Sequence, residues 1–564
     1  MINGILCKVS SYPTNDRSNA KGELLLLLRV GSSDHARLAW ILQRAVKPRG
    51  CISVNLNCQE CQLEMIYFLV AFIVILLGFY WKKPKNTPPG PFGLPVVGYL
   101  PWLDPVNPHL TLTQLSKKFG SVYGLFLGSV YTVVVSDHKI IRKLFAKEAT
   151  IGRAPLYLTH GIMKGYGIIC SEKDLWKDQR KFVFSCFKQF GMSKIGGKRE
   201  TMQSFILKEV NDLIDYIKHS KPTSNGDIIL DPNHILKHNV GSTVHEIVFG
   251  TSYNRDDKIW NYLLHLQEEG TKCLGIAGPL NFLPFLRFLP SFKKSMAFIT
   301  DGQAETHEEY KKIISKQKTL LNQFLENDPN YQPDNILHAF LMEKEKRKGE
   351  PTEKFYNPTQ LLYLLADIFG AGLDTTLTTL RWFFLYMAKH PEIQKKLHEE
   401  IDNIIQNRSP NLNDFASMPF AEACFSETQR IRSVVPVGIP HGALEDVQIE
   451  NYVIPENTMI VPLQWAIHMD EEVWDSPEEF NPNRFLNEEG GFVKNEALIP
   501  FQTGKRMCVG DEFARMVMFL FGVGVLQEFF VCAPDGIDLD VTGDCGITLT
   551  PKDHELVFKV RKIV

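Results

Sequence analysis

Between Asn357 and Pro391 the chain carries a stretch that admits one conformation. Asn357 can cap a helix, Pro358 suits its first turn, apolar residues continue through Met387, and Pro391 stops it. At the helical rise this element spans roughly 45 to 50 Å. A helix so long and apolar on most faces must run through a core rather than lie on one, so the fold has to be large and wrapped around it. With 564 residues, 44% hydrophobic and 22% charged, the chain has the material for such a core. No Gly/Ser linker, repeat or low-complexity tract follows residue 100, and residues 101–564 therefore read as one large domain. Helical patterns dominate it. β-rich stretches fall at 121–128, 131–136 and 447–463, which predicts a mainly α class with one small antiparallel sheet stitched from both ends of the chain.

A net charge of −2 gives no basis for nucleic-acid binding. Eleven cysteines, odd in number and scattered, suit a reducing compartment better than a disulfide framework. Cys58 and Cys61 form a C-x-x-C without the further ligands a zinc site needs. Residues 65–81, MIYFLVAFIVILLGFYW, are uncharged and just long enough to cross a bilayer. Lys82, Lys83 and Lys85 follow and Glu60 and Glu64 precede, so the anchor predicts a single pass with the bulk of the protein in the cytosol. Residues 1–64 carry no assignable function and read as a disordered extension or a gene-model artefact, with the natural start at Met65. Residues 82–100, rich in Pro and Gly, read as a stiff hinge, or equally as a plain entry into the domain.

The chemistry concentrates near the C-terminus, where residues 501–510 read FQTGKRMCVG ahead of a helical pattern. A cysteine just before a helix receives positive partial charge from free backbone N–H groups, which favours the thiolate. Gly504 and Gly510 would let the backbone fold closely beneath a flat cofactor. Five fixed positions of this kind arise by chance in roughly one chain of this length in ten thousand. The segment resembles the cysteine-ligand loop of the cytochrome P-450 superfamily.

That resemblance extends over the chain from Met65 onward and implies a haem-thiolate monooxygenase. It implies haem b as cofactor, with Cys508 as the iron ligand and Phe501 and Arg506 beside the porphyrin. Trp176 and Arg180, at i,i+4 in WKDQRKF, resemble the propionate-binding helix, and His441 in PHGALED sits where microsomal members often place another propionate partner. Glu427 and Arg430 in ETQR, with Arg484 in NPNRF, resemble a buried Glu-Arg-Arg cluster of structural rather than reacting character. AGLDTT, residues 371–376, would carry the oxygen chemistry: a helix broken at Gly372, with Asp374 feeding protons through Thr375. The alternative is an ordinary helix whose threonines bond back to i−4 carbonyls.

No flavin, iron–sulfur or nucleotide-binding segment is found, so electrons from NADPH must come through a flavoprotein reductase. Lys177, Lys181 and Lys188 form a basic stripe for its acidic face, or simply a solvated one. By the same resemblance the pocket walls come from 151–169, 279–290, 434–439 and 546–548. Residues 279–290, PLNFLPFLRFLP, would dip into the endoplasmic reticulum membrane beside the anchor, or form core. The combination of NFLPFLRFLP (281–290), PHGALED (440–446) and FQTGKRMCVGDE (501–512) looks most like the insect ecdysteroid 25-hydroxylases of moulting-hormone synthesis, which implies a lipophilic steroid substrate. An ecdysteroid 26-hydroxylase or a xenobiotic-detoxifying enzyme is the nearest rival; a haem-thiolate isomerase and a non-catalytic haem carrier are rivals of other classes.

Overall fold

The computed structural model describes Tyr67, residues 70–72 and residues 86–561 apart from 194–197, 224–225 and 276–277. The chain divides into two compact units, Met1–Ile75 and Leu76–Val564. Of the first, Tyr67 and residues 70–72 are helical with exposed side chains. The 1–64 extension, Cys58, Cys61, most of the 65–81 span and Lys82, Lys83 and Lys85 lie outside the described residues.

In the second unit the helices that position the site are α1 (Lys173–Gln189), α2 (Pro232–Phe249), α3 (Lys258–Leu274), α4 (Pro290–Asn327), α5 (Pro358–Lys389), α6 (Pro419–Ile431) and α7 (Asp511–Glu528). Helix α5 is the long core helix expected from the sequence. The Asn357 side chain accepts the Gln360 N–H at 2.9 Å, and the helix stops two residues before Pro391. Leu364, Leu365, Leu380, Phe383 and Leu385 are fully buried, each stabilising the fold by roughly 1.5–3 kcal/mol. Among the described residues α5 is also the one helix long and apolar enough to cross a bilayer, but 67% of its most apolar window is buried within the protein. It is a core helix. The expected break at Gly372 does not occur, for α5 runs uninterrupted. A Cβ on Gly372 would come 3.0 Å from Val244 of α2, and one on Gly370 would come 2.8 Å from the Gln267 carboxamide of α3. These glycines therefore serve close packing between helices.

The main sheet has strands β1 (Val122–Leu127), β2 (Val130–Val135), β3 (Gly152–Arg153), β4 (His441–Gly442) and β5 (Met459–Pro462) in the order β1-β2-β5-β4-β3. It is stitched from both ends of the chain as expected, but it is mixed rather than antiparallel. Strand β2 pairs with β5 in parallel, from Thr132↔Met459 to Val135↔Pro462. More than three hundred residues separate the two, ample for the long crossover a parallel pair needs. The 447–463 stretch supplies β5 and a separate hairpin, Val447–Ile449 with Tyr452–Ile454. Two further small sheets, Ile228–Leu230 with Leu556–Val560 and Phe529–Cys532, and Gly543–Cys545 with Leu549–Pro551, went unseen, since strands this short show too little alternation to detect.

Residues 87–98 are fastened to β1. The Gly124 N–H donates to the Pro89 carbonyl at 2.7 Å and the Tyr99 N–H to Phe126 at 2.7 Å. A Cβ on Gly90 would collide with the Gly124 carbonyl, so a side chain there would pry this segment off the sheet.

Candidate active site

Residues 501–508 fold back on themselves so that the Cys508 N–H donates to the Phe501 carbonyl at 3.0 Å. Gly504 makes this possible: its φ is +79°, and a Cβ would lie 2.3 Å from the Phe145 carbonyl oxygen. Gly510 is different. Its φ is −102° and its nearest obstacle, the Phe187 ring, would be 3.9 Å away, so no backbone constraint demands glycine there. The loop is held from behind by two side chains that sequence reading missed. Gln464 donates to the Ile499 carbonyl, and the Ile499 N–H donates to His468 Nε2 at 3.0 Å.

The Cys508 thiol opens not to bulk water but onto an internal cavity of about 540 Å³, within the usual size range of small-molecule sites. Burial pushes this thiol up to about 11, while the Gly510 N–H and Arg180 pull the other way. Held this way it is neutral, and only a strong cation at the sulfur would ionise it.

At one edge of the cavity three guanidiniums gather around Trp176. Arg506 stacks over the indole at 4.4 Å and Arg180 at 5.8 Å. Arg506 donates to the carbonyls of Ile151, Ile169 and Ser171. Arg180 donates to Met507 at 2.8 Å, and Arg153 to Ile169 at 2.6 Å and Pro440 at 3.3 Å. None of the three guanidiniums pairs with a carboxylate among the described residues. Burial lowers all three below the ordinary arginine range. Uncompensated buried cations are costly, so this edge is built for an anion. A group with two carboxylates, an apolar body and a metal seated at Cys508 fits it, and haem b is such a group. Phe501 lines the cavity as well, its ring under Arg515 at 4.9 Å.

Two departures from the sequence reading stand out here. Arg153 was not foreseen, because a Gly-Arg pair in a two-residue strand carries no signal of its own. His441 does not line the cavity. It is buried and stacked on Phe145 at 3.7 Å, its Nδ1 2.8 Å from the Thr150 carbonyl and its Nε2 3.3 Å from the Gln502 side chain. With both nitrogens engaged, it braces Gln502.

The same cavity is lined by Ala371, Gly372, Asp374 and Thr375 of α5. The Thr375 hydroxyl donates to the Ala371 carbonyl at 2.7 Å, the i−4 back-bond, and this leaves its oxygen lone pairs as the free feature. Asp374 accepts from the Thr548 hydroxyl at 2.9 Å. Burial pushes its carboxyl up to about 6 against that hydrogen bond.

About two to four turns earlier, α5 clamps another part of the cavity lining. Asp367 Oδ2 accepts the N–H groups of Ile168 and Ile169 at 2.7 and 2.8 Å, and Gln360 both donates to and accepts from the Gly167 backbone at 3.1 Å. Burial pushes Asp367 up to about 7. Because both N–H groups go to one oxygen, the other can carry a proton without breaking either bond. The folded-state value exceeds the unfolded one, so this group's contribution to stability is full below about 4 and is lost as pH rises through about 7. Asp367→Asn should keep the clamp and flatten that dependence in urea titrations across this range. Asp367→Ala strands two N–H groups, and each should cost about 1–3 kcal/mol.

The other expected walls hold in part. Residues within 151–169, Val434, Val435 and Ile439, and Ile547 and Thr548 line the cavity, but none of 279–290 does. Helices α3 and α4 take that place, through residues such as Leu266, Gln267, Ile299 and Gln303. Behind the cavity Glu427, Arg430 and Arg484 come together: Arg430 Nε and Nη2 donate to the two Glu427 oxygens at 2.7 Å each, and Arg484 Nε donates at 3.1 Å. Arg430 also reaches the His468 carbonyl at 2.9 Å. The Lys177, Lys181 and Lys188 stripe is exposed on α1, with exposed Phe184 among the lysines; Lys177 already pairs with Glu148 at 3.1 Å.

A thiol facing a mostly apolar cavity, with guanidiniums free of carboxylate partners along its lining and a hydroxyl and a carboxyl among the same lining residues, defines a haem-thiolate oxygenase class of site. Comparison with known proteins agrees. The cytochrome P450 family model matches residues 88–558. The chain is 40% identical to cytochrome P450 306a1 of Drosophila melanogaster, over 84% of this chain and 88% of that one. It is 33% identical to cytochrome P450 18a1 of the same fly (89% and 92% covered) and 30% identical to human cytochrome P450 2U1 (87% and 93%). The chain belongs to the cytochrome P450 family. It is accordingly a haem-thiolate monooxygenase, a family that uses haem b with a cysteine thiolate and takes its electrons from a reductase.

Proposed function

We propose that this enzyme hydroxylates a lipophilic steroid, an ecdysteroid precursor at its side chain (25-hydroxylation), with Cys508 as the thiolate ligand of the haem. The observation that carries the chemistry is the cavity-facing Cys508 beneath three carboxylate-free guanidiniums. Arg153, Arg180 and Arg506, with the Trp176 indole N–H, hold the two propionates. Bound haem supplies dioxygen activation, in which two electrons and two protons place one oxygen atom in a C–H bond and release the other as water.

The chain's own task is to deliver those protons and keep other water out. Asp374, with a carboxyl near 6, changes protonation state close to neutral pH and serves as the proton source. Thr375, its proton held by Ala371, turns lone pairs toward the cavity and accepts a hydrogen bond from whatever is carried there. Glu427, Arg430 and Arg484 keep the cysteine loop in place without touching the reacting atoms.

The reductase docks over Lys177, Lys181 and Lys188, with exposed Phe184 as an apolar contact amid charges that steer. Phe92, Trp102, Phe285, Phe288 and Leu289 are all exposed, on segments joined by one apolar cluster around Leu103, Leu127 and Phe282. This face dips into the endoplasmic reticulum membrane, in which residues 65–81 anchor the chain, with the catalytic body in the cytosol. The steroid assignment is supported by the likeness of 281–290, 440–446 and 501–512 to insect ecdysteroid hydroxylases and by the apolar cavity.

The test is product analysis of membranes containing the protein, a reductase and NADPH, incubated with a panel of steroids and xenobiotics. Side-chain hydroxylation of a 25-deoxyecdysteroid is the expected result. Oxidation of xenobiotics alone would overturn the substrate, and turnover of peroxides without NADPH would overturn the reaction.

A further inference from the structure

Asp374 makes one direct hydrogen bond among the described residues, and it comes from the other end of the chain. Thr548, 4% exposed, donates its hydroxyl to Asp374 Oδ2 at 2.9 Å. Thr548 belongs to a turn that is itself fixed. The Gly546 N–H donates to the Thr548 carbonyl at 3.0 Å and the Leu549 N–H to Val434 at 2.8 Å. The Trp382 indole of α5 donates to the Leu549 carbonyl at 2.8 Å. Gly546 lies so near α3 that a Cβ would be 3.0 Å from the Thr271 carbonyl. Ile547 and Thr548 both line the cavity, so a substrate seated on Ile547 bears on the peptide that carries the Thr548 hydroxyl.

We propose that Thr548 is a positioning residue for oxygen activation: it fixes the Asp374 carboxyl from the substrate-lining turn and so ties proton delivery to an occupied cavity. The inference rests on Asp374 being the proton source. The other charged groups facing that carboxyl are Glu268 and Lys272 of α3 and Arg381 of α5, and Glu268 is itself bonded to Lys237 of α2. Glu268 opposes ionisation of Asp374, while Lys272, Arg381 and the Thr548 hydroxyl favour it. Without the hydroxyl the carboxyl is free to turn and is harder to ionise. Dioxygen that has taken up two electrons then leaves with two protons as hydrogen peroxide, and no oxygen atom enters the substrate.

The experiment compares wild type, Thr548→Val, Thr548→Ser and Asp374→Asn as haem-loaded full-length proteins with reductase and NADPH. A 25-deoxyecdysteroid is the probe, with 7-ethoxycoumarin as the substitute if wild type leaves the steroid unchanged. Thr548→Val should give about fivefold less product per NADPH, as expected for one lost hydrogen bond, with a matching rise in peroxide. Substrate affinity, read from the absorbance shift, should stay within about twofold. The alkaline limb of the coupling-against-pH curve should move to higher pH, and Thr548→Ser should restore coupling and curve alike. Wild-type coupling and an unmoved curve in Thr548→Val overturn the inference, as does a Ser variant as poorly coupled as Val. Wild-type coupling in Asp374→Asn overturns the reading beneath it. Loss in Asp374→Asn alone leaves that reading standing and removes Thr548 from it.

Discussion

Replacing Cys508 by histidine should leave a protein that still takes up haem at its guanidinium edge yet shows no red-shifted carbon monoxide band when reduced. Hydroxylation should fall by more than about 1000-fold, or about 4 kcal/mol of barrier. The loss is specific to sulfur, because an anionic thiolate donates electron density toward the bound oxygen and drives its cleavage, whereas a neutral imidazole does not. The cavity isolates this effect. Arg153, Arg180 and Arg506 donate only to backbone carbonyls, so propionate binding survives the change and haem content can be measured apart from activity. Persistence of the shifted band in Cys508→His would mean that another group is the ligand.

Glu427→Gln should be the most destabilising single polar substitution in the body of the protein. Glu427 and Arg430 are both fully buried, and the carboxylate accepts from Arg430, Arg484 and the Asn481 N–H. Removing its charge leaves Arg430 uncompensated, which costs about 3–5 kcal/mol. The damage should spread along a defined route, since Arg430 holds the His468 carbonyl and His468 holds Ile499, two residues before Phe501. Urea unfolding of the haem-bound protein should show the stability loss, and hydrogen exchange should show residues 499–508 opening. Arg484→Lys should cost far less, because its side chain is 10% exposed. A Glu427→Gln variant within about 1 kcal/mol of wild type would contradict this account of the cluster.

The parts of this molecule that were readable beforehand are those whose physics is local. Helix α5 declared its cap, its first-turn proline and its stop within one stretch, and the cysteine loop carried its glycines and arginine in ten residues. Glu427 with Arg430 was visible as an i,i+3 pair, but its union with Arg484 came only through family resemblance. What escaped notice depends on distant backbone. Arg153 acquires meaning from the carbonyls of Ile169 and Pro440, Asp367 from two N–H groups some two hundred residues away, and Thr548 from Asp374. The error at Gly372 has the same origin. A glycine inside a helix reads as a weak point until the Val244 side chain that fills its space is known.

The parallel seam between β2 and β5 also bears on how the molecule is made. Strand β2 leaves the ribosome hundreds of residues ahead of its partner, and Arg153 likewise precedes Cys508. At some 5–20 residues per second, tens of seconds pass during which an unpaired strand edge and half a cofactor pocket wait for the remainder of the polypeptide. A cofactor can therefore be gripped from both sides only once Cys508 has been made, and until then the earlier half needs shielding from wrong partners.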